Sequence, residues 1–176
     1  MEGTKITREE LKARWAFAEF RAERGKVNYA QLCPGKIRDD VQFSELTRDE
    51  VSHLVWMVEQ HRMPLMSALV ADTYECKLWT KEQLCRTYTI IRMAPSRAEN
   101  IPFLSFIASP RFNEESDPRV FPFDTPFVQV EPVIVLPIVL PQGAVQMLIE
   151  GYLRSVPFVR SRDPDTRIMV WVPALS

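Results

Sequence analysis

Histidine, cysteine and carboxylate side chains are the groups that move protons, attack carbonyls or hold metals, and this chain uses them sparingly. It has two histidines and three cysteines in 176 residues. His53 belongs to a Glu50-Val-Ser-His53 element, the Glu-x-x-His spacing that di-iron bundles use twice, with two more glutamates. It occurs here once, and Glu50 already has a structural reason to be there as the capping partner of Thr47. His61 lies eight residues further on, about 12 Å away along a helix, too far to share a metal. Cys33, Cys76 and Cys85 are widely spaced and form no Cys-x-x-Cys pair, so they read as free thiols in a reducing compartment, not as a zinc site or disulfide set.

A cysteine nucleophile needs a histidine base within reach. Cys33, in the turn-like Cys-Pro-Gly, and Cys85, beside Arg86, are the candidates, and no spacing ties either to His53 or His61. Acid pairs occur at Asp39-Asp40 and Glu114-Glu115, and Glu131 interrupts an apolar stretch. Dispersed carboxylates of this kind keep an enzyme reading open. The five glycines (3, 25, 35, 143, 151) are too scattered for a phosphate-cradling loop, which excludes Walker A and dinucleotide fingerprints. No Gly-x-Ser-x-Gly elbow is present. The expectation is a protein without metal or cofactor, leaning away from catalysis.

Arginine carries the second kind of chemistry. Arg86, Arg92 and Arg97 fall in the basic segment 77–97, interleaved with Tyr88. Arg154, Arg160 and Arg162 fall in 154–167, close to Phe158 and Trp171. Guanidinium groups bind phosphate bidentately and aromatic rings stack on bases, so these residues make up a nucleic-acid-binding alternative. Against it stands an overall charge of −1 and a pI near 6.2, below that of a basic binding domain. The neutral total hides alternation: residues 39–76 hold two basic and eight acidic side chains, residues 77–97 five and one.

Surplus aromatics carry the third. Trp15, Phe17 and Phe20 on one helix exceed what a single stripe buries, and Trp56 flanks the apolar stripe of another. Exposed aromatics mark interaction sites, and these four form the candidate protein-binding set. A second packing layer within the domain accounts for them equally well. The leading expectation is therefore a small intracellular, cytoplasmic protein that acts by binding another protein or a second copy of itself.

These groups need elements to hold them. Three Thr-x-x-Glu/Gln boxes, at Thr7, Thr47 and Thr80, mark helix starts. Helix one is expected over about 8–24, ending at Gly25, with Leu11, Trp15, Ala18 and Ala22 as its stripe. Helix two is expected over 48–62, stopping before Met63-Pro64, and a short helix over 65–72. Helix three follows Thr80, with Thr87–Ile91 turning β-prone. Beyond Pro95, Ile101–Ala108 reads as a strand and 109–126 as a proline-rich loop.

The run from Pro126 to Pro141 is rich in β-branched residues but punctuated by proline. It reads as an edge or bulged strand with both faces covered, able to accept a partner strand by main-chain hydrogen bonds. A fourth helix is expected at about 142–155 from Val145, Leu148, Ile149 and Tyr152, and a last strand over Thr166–Val172. The two late strands could pair in parallel. The sum is one α+β domain over 1–176, helical over 1–94 and strand-rich over 95–176, with a helical N-terminal half packed on a small mixed sheet formed mainly by the C-terminal half. No 18-residue apolar window suggests a membrane span, and the N-terminus lacks the apolar core of a signal peptide.

Overall fold

The computed structural model describes residues 1–21, 42–91, 99–102, 127, 131–141 and 143–175. The fold is α+β, with its longer helices early and most of its strands late. In chain order the described elements are β1 (Lys5–Thr7), α1 (Arg8–Arg21), a 3-10 turn (Phe43–Glu45), α2 (Arg48–Met66), β2 (Thr73–Trp79), α3 (Lys81–Cys85), β3 (Tyr88–Ile91), β4 (Glu99–Pro102), β5 (Val133–Leu140), β6 (Gly143–Glu150), α4 (Tyr152–Arg160) and β7 (Ile168–Pro173). The strands form one mixed sheet in the order β1-β2-β7-β5-β6-β3-β4. By compactness the chain divides into two units, Ile6–Tyr74 and Met1–Lys5 with Glu75–Ser176.

The Ile6–Tyr74 unit is built on α1 and α2. Thr7 caps α1 by accepting from the Glu10 amide at 3.1 Å, while the Glu10 carboxylate takes two N–H groups of Arg14. Thr47 and Glu50 complete the reciprocal box at the start of α2, with bonds of 3.3 and 2.8 Å between the two residues' amides and side chains. Leu11, Trp15, Ala16, Phe17 and Phe20 are all buried on α1, as are Leu54, Met57 and Val58 on α2. Lys12 joins the two helices through Glu59 at 2.8 Å.

α2 does not stop before Pro64 as expected, but runs on to Met66. Proline removes one intrahelical bond there. Burial of Met66 and of Leu69 just beyond it supplies the apolar contact that offsets this loss. The separate helix over 65–72 is accordingly not formed.

In the other unit, Thr80 and Gln83 cap the single-turn α3 reciprocally, and the β-prone Tyr88–Ile91 is indeed a strand. β5 is the hub of the sheet: β6 pairs with it antiparallel, and β7 pairs with it in parallel at Val133↔Val170 and Ile134↔Trp171. The expected parallel pairing of the two late strands is present. Val133, Val135, Leu148, Val156, Phe158, Ile168, Val170 and Leu84 close one apolar core, with Phe127 packed against it.

Two expectations about this region are corrected. The helix expected at 142–155 is two elements, strand β6 and helix α4, separated by Gly151 at φ +102°. Val145, Leu148, Ile149 and Tyr152 fall at helical spacing because a strand buried on both faces at its end runs straight into a helix. Periodicity alone does not separate those cases. The proline-marked strand is not a sheet edge in its first half: Val133 to Leu136 are buried, with β6 alongside and β7 paired at Val133 and Ile134. The expected covering of both faces fails beyond Leu136, where Pro137 and Val139 are exposed. The register shift between Ile134 and Val135 does fit the bulged alternative.

Gly25, the loop 109–126 and most of Ile101–Ala108 lie outside the described residues.

Candidate interaction surface

The second half of β5 has a different environment from the first. Residues 137–140 pair with 143–146 of β6, closed by a two-residue connection after Leu140, with Gly143 at φ +124°. Among the described residues neither segment has another strand beside it: β7 reaches β5 only at Val133 and Ile134, and β3 reaches β6 only at Met147 and Leu148. The result is a two-stranded ribbon continuing past the sheet.

Cross-strand partners share a face. Pro137, Val139, Ala144 and Gln146 therefore lie on one side, and all four are exposed, Val139 at 82%. Ile138, Leu140 and Val145 lie on the other and are half-buried. The whole stretch from Pro132 to Ile149 contains no ionisable side chain. An exposed, charge-free apolar face is unusual, because protein surfaces normally scatter their apolar residues among polar ones.

The ribbon's free edge is poorly suited to accept a strand. Pro137 sits opposite Gln146 and has no N–H to give, which suits a non-hydrogen-bonded pair. Backbone groups alternate sides along a strand, so the Val139 N–H also points away from β6. Val139 is then the one outward donor between Pro137 and Pro141. Prolines on an edge block strand addition. What the ribbon presents to solvent is its side-chain face.

The four aromatics proposed as protein-binding divide. Trp15, Phe17 and Phe20 are buried, with Phe17 against Phe43 at 5.6 Å and Phe20 at 6.3 Å between ring centroids. They belong to the inner packing layer, not to a surface, because α1 is apolar around most of its circumference. Arg14 covers the Phe43 ring at 5.0 Å. Trp56 is 57% exposed, stacked beside His53 at 5.8 Å, and remains available to a partner.

The arginines divide too. Arg86 is exposed and pairs with Glu82. Arg154 is largely buried, 3.8 Å from the buried Glu150 carboxylate, so it is held within the fold. Trp171 is buried in the sheet and offers no face to a base. Arg160 is half-buried and Arg162 exposed; Arg92 and Arg97 lie outside the described residues. The basic segments are neighbours at one place, where Lys81 of α3 donates to the Ser161 carbonyl after α4.

For catalysis the placed groups offer little. Cys76 is fully buried, and burial pushes its thiol pKa up. Burial also raises that of Cys85, against the opposing pull of Lys81. A nucleophile needs the reverse. Among the described residues no group of three or more His, Cys, Asp or Glu could hold a metal ion, and no helix is long and apolar enough to cross a membrane. Glu131 is half-buried just before β5. Cys33, Asp39, Asp40, Glu114 and Glu115 lie outside the described residues, and of His61 only the backbone is described.

Sequence reasoning picked out the proline-marked strand but not its exposed Pro137–Val139 face. The signal was present: Pro-x-Val-x-Pro over 137–141 places the prolines and Val139 on one side. No protein-family model, curated protein or solved structure matches this chain.

Proposed function

We propose that this chain acts by binding another protein chain, using the exposed face of the β5–β6 ribbon. The observation that carries the reading is Val139, 82% exposed in a hairpin with no charged residue from Pro132 to Ile149. Removing such a face from water yields about 25 cal/mol per Å² of apolar area, and no ion pair has to be desolvated in the process. Separately, α2 carries the exposed Trp56, of a residue type enriched at binding hot spots.

The test is capture of partners by the tagged chain from its native lysate after nuclease treatment, with wild type and Val139→Lys side by side. A protein retained by wild type and lost by Val139→Lys supports the reading. Capture that disappears with nuclease would instead favour nucleic acid as the partner. One observation favours that second reading: α3 meets the end of α4, which makes Lys81, Arg160 and Arg162 neighbours on one corner. Acidic Asp163 and Asp165 stand in the same stretch, so the protein-binding reading is preferred.

A further inference from the structure

We draw no further inference here: the strongest candidate, the exposed Pro137–Val139 face of the β5–β6 ribbon, carries nothing beyond the reading above because nothing in the structure shows what covers it.

Discussion

A β-carbon placed on Gly151 would lie 2.4 Å from Val133 Cγ1 and 2.7 Å from Val133 Cβ. Gly151 caps α4 at φ +102°, in backbone space that L side chains rarely adopt. The two residues therefore fix how β6 hands over to α4 against the first residue of β5. Gly151→Ala meets both the conformational cost, about 1–3 kcal/mol, and an overpacking cost of similar size. The expected loss is about 2–5 kcal/mol, read from the denaturant midpoint. Gly3→Ala is the matched comparison: φ is +74° and nothing lies within 4 Å of the added carbon. It should cost only about 1–2 kcal/mol, so near-equal losses would show that Val133 does not confine Gly151.

β5 predicts opposite responses at its two ends. Val135→Ala should cost about 2–3 kcal/mol, because its side chain is fully buried in the core and leaves a cavity. Val139→Ala should change stability by less than about 0.5 kcal/mol, as surface substitutions do, while weakening any association through the ribbon. Equal thermal midpoints for the two variants would contradict the division of the strand.

How far the sequence could be read turns on that same strand. Its β-branched run and its prolines identified a strand, and the prolines do sit where it loses its outer neighbour. What the sequence did not convey is that one strand is central at its start and marginal at its end, since that depends on where β7 stops. The helical reading of 142–155 failed for a related reason: the break at Gly151 depends on Val133, eighteen residues earlier in the chain, which leaves no room for a β-carbon there. β2 has its own signal, Tyr74, Cys76 and Leu78 alternating with Glu75 and Lys77, but so short an alternation next to helical segments is a weak one. The capping threonines were legible because their partners lie three residues away. The site was legible only in part, since exposure of Trp56 and burial of Trp15 are decided by contacts distant in sequence.

Lys12 and Glu59 should be coupled. Their 2.8 Å contact links α1 to α2, and both side chains are partly shielded from water. A double-mutant cycle with Lys12→Ala and Glu59→Ala should give a coupling of about 0.5–1 kcal/mol, falling as salt is raised. A coupling indistinguishable from zero at low salt would mean that the pair is not formed in solution.

Alkaline pH should destabilise the fold before it affects the charged surface. Burial raises the pKa of Cys76 and Cys85 above the ordinary 9.0, and that of Tyr74 above 10.0. In each case desolvation of the charged form is the largest cause. A group whose folded pKa is raised holds its proton more tightly in the folded state, so its contribution is full below the unfolded value and is lost as pH rises through the folded one. Stability should therefore be flat up to about pH 8 and decline from about pH 9 upward, read by urea midpoints at fixed ionic strength. Thiol reactivity gives the same result independently: both cysteines should react with a chromogenic disulfide far more slowly in the folded chain than in denaturant. Cys76→Ser should leave the onset of the decline in place, because Cys85 and Tyr74 still titrate, but should make it shallower. A midpoint that stays constant to pH 11, or a Cys76 thiol that reacts as fast folded as unfolded, would mean that β2 is not packed as described.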